Sequence, residues 1–190
     1  MNPDADTTPG WYAIRTHSDH HAEQLLTPEV NEIYFPKETI LTTAGTPRTR
    51  PIIPHLLFIH TTRAKALQLE KRSHDTADRL PPLWIYRTVR GEDPRPISQR
   101  EITLFKLLTA PDATRCEIFN KTDFRSGQRV RITGGIFAGH EGHIKRIRRN
   151  KHVIVEIEGI CAIMLPFIHP DLLTPINTKI PPANGRITQK

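Results

Sequence analysis

Residues 127–142 read Gly-Gln-Arg-Val-Arg-Ile-Thr-Gly-Gly-Ile-Phe-Ala-Gly-His-Glu-Gly, and no other stretch constrains the fold as tightly. Val130 and Ile132 alternate with Arg129 and Arg131, the pattern of a half-buried strand. Gly134, Gly135, Gly139 and Gly142 punctuate the loop that follows, and a second alternating run starts at Ile144. Glycine reaches positive φ and lets backbones approach closely, so this loop is built for shape rather than for bond-making. A strand, a glycine turn and a strand point to the opening hairpin of a small barrel and away from catalysis.

Charge singles out the same region. Residues 1–110 carry a net charge of +1 and residues 111–190 a net of +6, out of +7 for the chain. Eight basic residues against Glu141 fall within 125–151, which makes phosphate the natural partner of this element. Lys145, Arg148, Arg149 and Lys151 are the candidate nucleic-acid contacts there. No apolar run approaches the ~18 residues of a membrane span, and the first ten residues lack the basic start and apolar stretch of a secretory signal. Cys116 and Cys161 make neither a disulfide framework nor a metal spacing. The expectation is a cytoplasmic monomer with two reduced thiols, no membrane contact, no cofactor and no bound metal.

Upstream of the barrel, strands and helices alternate. Trp11 to Arg15, Glu32 to Pro36, Ile52 to His60 and Leu83 to Tyr86 read as strands by aromatic and β-branched content. His17 to Leu26 and Thr62 to Ser73 read as helices, the second with Ala64, Leu67 and Lys71 on one face. Thr42 to Pro51 reads as a loop or hairpin tip. Ser98 followed by Glu101 is a capping box that starts a helix over 98–109, with Ile102, Phe105 and Leu108 along its stripe and Pro111 as the stop. The fold class is therefore an α+β N-terminal domain, an antiparallel sheet flanked by helices, followed by a small all-β SH3-like barrel. The expected division is 10–110 for the first domain, 111–124 for a linker and 125–174 for the barrel, with flexible tails at 1–9 and 175–190. Val153, Val155 and Ile157 share one strand face, and Asn150-Lys151 sits where a tight turn is wanted.

Chemistry-bearing motifs are few. His17, His20 and His21 would share a helix turn, yet no acidic or thiol partner accompanies them in sequence. Gly134 to Gly142 lacks the Gly-Lys-Ser/Thr ending that a phosphate loop needs, and a strand follows it. No serine, cysteine or threonine sits in a catalytic context, so the chain reads as a non-enzyme.

The glycine hairpin carries the KOW signature of ribosomal proteins and transcription elongation factors. With an α+β domain ahead of it, the chain resembles the NusG family. Trp11-Tyr12-Ala13-Ile14-Arg15-Thr16 is similar to that family's opening strand, and Ile53-Pro54-His55-Leu56-Leu57-Phe58-Ile59 to its Phe-Pro-Gly-Tyr-Val-Leu-Val strand. Asp93-Pro94-Arg95-Pro96-Ile97-Ser98 resembles the Lys-Pro-Val-Pro-Leu-Ser stretch before the domain's last helix. Gly134 to Gly139, Ile157-Glu158-Gly159-Ile160 and Phe167-Ile168-His169-Pro170 are similar to the UpxY-type specialised paralogues, antiterminators of capsular polysaccharide operons.

The resemblance implies a hydrophobic concavity that docks on the clamp helices of RNA polymerase and opposes pausing. On the matching positions Leu56 and Phe58 would contact the clamp, with Trp84, Pro54 and Tyr12 beside them. Arg15, His17 and His20 would face the displaced non-template DNA, or nascent RNA. Ile136 and Phe137 occupy the barrel tip that in housekeeping members binds Rho or NusE, linking polymerase to a ribosome. His55 stands for the usual glycine, Leu56 for the usual aromatic and Ile136 for the usual proline, which favours a specialised paralogue over housekeeping NusG. An RNA-binding or ribosome-associated KOW protein is the other class the residues allow. Some specialised relatives refold the barrel into a helical hairpin, but the β-branched run Val153 to Ile157 favours strands here.

Overall fold

Strand β1 (Gly10–Thr16) is buried on both faces, and so is its neighbour β5 (Leu56–Thr61). Both therefore read as near-continuous apolar runs, as central strands covered on two sides must. The computed structural model describes residues 7–110, 117–120, 127–147, 150–157, 160–165 and 168–176. An antiparallel sheet runs in the order β2 (Glu32–Tyr34), β5, β1, β6 (Leu83–Ile85). Ala13 stands opposite Phe58 and Ile14 opposite both Leu57 and Ile85.

That register sorts the side chains. Tyr12, Ile14, Leu57, Ile59, Leu83 and Ile85 pack with Ala22 and Leu26 of α1 (Asp19–Leu26) and Ala66 and Leu69 of α2 (Arg63–Ser73). The face of α2 against the sheet is thus Ala66, Leu69 and Ser73, while Ala64 is exposed and Leu67 only half-buried. The expected Ala64–Leu67–Lys71 stripe is displaced by two residues, because a helix this rich in Lys, Arg and Glu has too few apolar residues to define a stripe. Trp11, Ala13, Leu56 and Phe58 occupy the opposite sheet face and meet Ile102 and Phe105 of α3 (Gln99–Leu108). The predicted capping box is present: Glu101 N–H donates to Ser98 Oγ at 3.2 Å and Ser98 N–H to Glu101 Oε2 at 3.0 Å.

Residues read as a loop or hairpin tip form the second half of a separate two-stranded ribbon, β3 (Lys37–Leu41) with β4 (Pro47–Pro51). Strand β5 begins only at Leu56, because Pro54 precedes His55, which sits at φ 65° and turns the chain.

The C-terminal sheet is antiparallel in the order β12 (Leu173–Pro175), β8 (Arg129–Ile132), β9 (Glu141–Ile147), β10 (Asn150–Ile157), β11 (Cys161–Met164), β7 (Glu117–Asn120). The chain over 150–157 is strand, as its β-branched content favours. Strand β7 lies inside the stretch read as an irregular linker, and β12 reaches into the expected tail at 175. Two apolar residues between polar ones are too short a pattern to announce β7; its partner β11 supplies the ladder. Gly127 and Gly142 are close-approach positions: a Cβ would lie 1.9 Å from Ile144 O in the first case and 2.4 Å from Ile154 O in the second.

A half-buried clip joins α2 to the edge strand. Glu70 accepts from Arg87 at 2.6 and 3.0 Å and from the Ile85 amide at 2.8 Å. Burial pushes the Glu70 carboxyl up, but the Arg87 and backbone hydrogen bonds outweigh it and hold the group below its ordinary value. A carboxylate lowered in this way stabilises the fold above its unfolded value and loses that contribution as pH falls through the folded one. Glu70→Gln leaves Arg87 half-paired and is expected to cost about 2 kcal/mol. Urea titrations at pH 7 and pH 4 would show it, with the gap between wild type and variant narrowing in acid.

Candidate docking face and nucleic-acid rim

The five residues assigned to a polymerase grip fall in four places. Leu56 and Phe58 lie side by side on the sheet face reached by α3, and both are sealed. Phe58 stacks on Tyr34 at 6.2 Å and tilts against Phe105 at 5.0 Å. Tyr34 is held by a hydrogen bond to Thr109, and burial pushes its phenol above the ordinary value. Trp84 shares their side of the sheet by register but sits on the edge strand, 42% exposed. Pro54 is exposed on the turn into β5. Tyr12 is buried on the opposite face beneath α1 and α2; adjacent strand residues point to opposite sides, so Tyr12 cannot join Trp11.

Leu56 and Phe58 belong to one buried apolar cluster that takes in Ile102 and Phe105 of α3, Val130, Ile132, Val153, Val155 and Ile163 of the C-terminal sheet, and Phe137 of the loop between β8 and β9. Phe137 is 9% exposed, whereas its neighbour Ile136 is 74% exposed, so the two tip residues separate into one sequestered and one free. Arg100 on α3 reaches the tip and donates to Ala138 O at 3.5 Å. A Cβ on Gly139 would lie 1.9 Å from its Nη2. A cavity of about 600 Å3 opens along this seam, lined by Arg100 and Glu101 on one side and Arg129, Arg131, His140 and Glu141 on the other.

The electrostatics differ from a simple count of charges. Glu141 accepts from Arg131 at 2.6 Å and Arg129 at 2.9 Å, and Arg131 leads in holding its carboxyl below the ordinary range. Two cations of the basic element thereby share one carboxylate, which offsets one of their two charges. Lys145 is half-buried. Arg148 and Arg149 lie outside the described residues, as does the side chain of Lys151.

Arg15, His17 and His20 are all exposed around the start of α1. His17 meets His55 edge-on at 4.9 Å and Trp84 at 6.0 Å, and Trp84 meets His74 at 5.3 Å. His20 faces Phe35 at 5.7 Å instead. Asp19 accepts from the His55 amide at 3.2 Å and lies 3.8 Å from its ring nitrogen. Neither His55 nor His74 was readable as part of this row, because 36 residues of chain separate Asp19 from the turn it holds. Among the described residues no three His, Cys, Asp or Glu side chains converge to hold a metal. Cys161 is free and buried, with burial pushing its thiol up to about 12; Cys116 lies outside the described residues.

A four-stranded sheet with helices is thus joined to a six-stranded β-unit. The KOW motif model matches residues 126–158, and the model described as transcription termination factor nusG matches residues 9–106, a little over half of the chain. The chain belongs to the NusG family. It is 38% identical over 73 residues to the transcription termination/antitermination protein NusG of Borreliella burgdorferi, covering 37% of this chain and 40% of that one. It thus spans less than half the length of that relative. A solved structure of Thermotoga maritima NusG, concerned with domain interaction, is similar at 18% identity and TM-score 0.46, covering 90% of this chain and 98% of that one. An MjSpt4:Spt5 complex is similar at 16% identity and TM-score 0.28, over 88% and 97%.

His140 gives the seam a testable pH dependence. Burial, then the Arg100 guanidinium, hold its imidazole below the ordinary value, against an opposing pull from Glu101. A histidine lowered in the folded state stabilises it above the unfolded value of about 6.5 and ceases to as pH falls through the folded one. Thermal melts between pH 7.5 and 5 are expected to show a drop that His140→Gln flattens.

Proposed function

We propose that this protein is a specialised NusG paralogue of the UpxY type, which binds the RNA polymerase clamp helices and raises processivity on selected capsular or surface polysaccharide operons. The observation that carries the reading is the apolar sheet face of Leu56 and Phe58, buried in one apolar cluster with α3 and the KOW region rather than under charged groups. An apolar face beneath a removable cover suits a helical partner. Polymerase binding then requires the cover to lift, which exposes Leu56, Phe58 and Phe137 together. Trp84 and Pro54 flank the uncovered face, while Tyr12 supports it from behind. Arg15, His17 and His20 face the non-template strand or nascent RNA, and Lys145, Arg148, Arg149 and Lys151 add non-specific attraction for phosphate.

The exposure of Ile136, beside half-exposed Leu172, favours one further reading: a contact of the tip with NusE or Rho while the cover stays closed, as in a housekeeping NusG. Phe137→Asp places a charge in the shared cluster and is expected to lift the cover. Polymerase capture by the tagged full chain should rise several-fold in this variant, and read-through of a terminator in vitro should rise with it. Capture that is absent in both wild type and Phe137→Asp, with circular dichroism unchanged, overturns the polymerase reading.

A further inference from the structure

The cavity along the seam is absorbed by none of the roles above. One wall is the start of α3, with Arg100 and Glu101, and the other is the β8–β9 hairpin, with Arg129, Arg131, His140 and Glu141. At about 600 Å3 it falls in the range of small-molecule sites, which run from roughly 300 to 1,000 Å3 and favour junctions between domains. Its polar groups are out of balance. A guanidinium carries five N–H donors and accepts nothing. Arg131 uses two of them on Glu141 Oε1, at 3.1 and 2.6 Å, and Arg129 one on Oε2 at 2.9 Å. Arg100 makes no ion pair among the described residues, and its contact with Ala138 O is long at 3.5 Å. The acceptors, by contrast, are engaged. Both Glu141 oxygens face those arginines, and Glu101 Oε2 takes the Ser98 amide at 3.0 Å and its hydroxyl at 2.6 Å. Glu156, the other carboxylate of the lining, is exposed, where water and salt screen it. What the cavity lacks is acceptor oxygen.

We propose that this cavity holds a small phosphorylated molecule, whose oxygens take the spare donors of Arg100 on one wall and of Arg129 and Arg131 on the other. Its effect on transcription rests on the polymerase reading above. Arginine matches phosphate oxygens in two-point geometry, and such charged hydrogen bonds are roughly twice as strong as neutral ones. The Arg100 guanidinium has a seat at the tip because Gly139 carries no Cβ, which would lie 1.9 Å from Nη2. The two walls come from different domains, so the ligand meets its full set of donors only while the KOW unit sits on the sheet face. A ligand that binds one arrangement better shifts the population towards it. Phosphate in the seam therefore holds the cover down and opposes its replacement by polymerase, and bound polymerase weakens the ligand by the same factor.

The test is thermal unfolding of the full chain with increasing pyrophosphate, against sodium chloride at matched ionic strength. Pyrophosphate is expected to raise the midpoint saturably, by about 4 °C at roughly ten times the half-saturating concentration, and chloride is not. Arg100→Ala, at an exposed position, should raise the half-saturating concentration about tenfold through the loss of a charged donor. Arg131→Ala, also exposed, should do the same from the opposite wall. A rise that is absent, that chloride reproduces, or that keeps its half-saturation in either variant overturns the proposal. Calorimetry on the wild-type chain is expected to find a single site per chain, and several weak equivalent sites overturn the proposal equally. Saturating pyrophosphate should also lower polymerase capture several-fold. Capture that is present but unmoved by it overturns the hold on the cover. Capture that is absent with and without pyrophosphate sinks the polymerase reading and leaves the melts to decide the site.

Discussion

The pairing of β1 with β5 is the constraint on which the other layers depend. Setting Ala13 against Phe58 and Ile14 against Leu57 turns two apolar runs into two different surfaces. One surface, with Tyr12, Leu57 and Ile59, closes under α1 and α2 and is ordinary core. The other, with Trp11, Leu56 and Phe58, is shared between α3 and the KOW region. A slip of one residue would exchange the two sets wholesale. This second face is thus set by strand register, and Phe58 meets the rings of Tyr34 and Phe105 within it.

Cover and face are matched in kind. Both present aliphatic and aromatic side chains, so their separation costs apolar burial at about 25 cal/mol per Å2 and is repaid only by an equally apolar partner. At the edge the seam turns polar, with Arg100 on the carbonyl of Ala138 and the His140 imidazole held below its ordinary value, chiefly by burial.

Local signals were the most legible. Ser98 and Glu101 announced α3 because a capping box is a contact between residues three apart, and Trp11 to Thr16 announced β1 by composition alone. The KOW hairpin was legible through its glycines. Which face a residue occupies was harder to read: Tyr12 and Phe58 look equivalent as aromatic strand residues, and only register separates them. The same limit hid the row of His55, His17, Trp84 and His74, whose members come from four separate segments. Counting charge gives a total but not its placement: Arg129 and Arg131 share the single carboxylate of Glu141, which leaves one positive charge in excess among the three.

Gly127 and Gly142 reach beyond the hairpin they belong to. At each, a neighbouring strand's carbonyl occupies the space that any other residue's first side-chain carbon would need. Selection for a new partner can rewrite exposed positions such as Ile136, yet it must work around two points where the main chain itself leaves no room. Those two points fix the path of the strands whatever their outer side chains become.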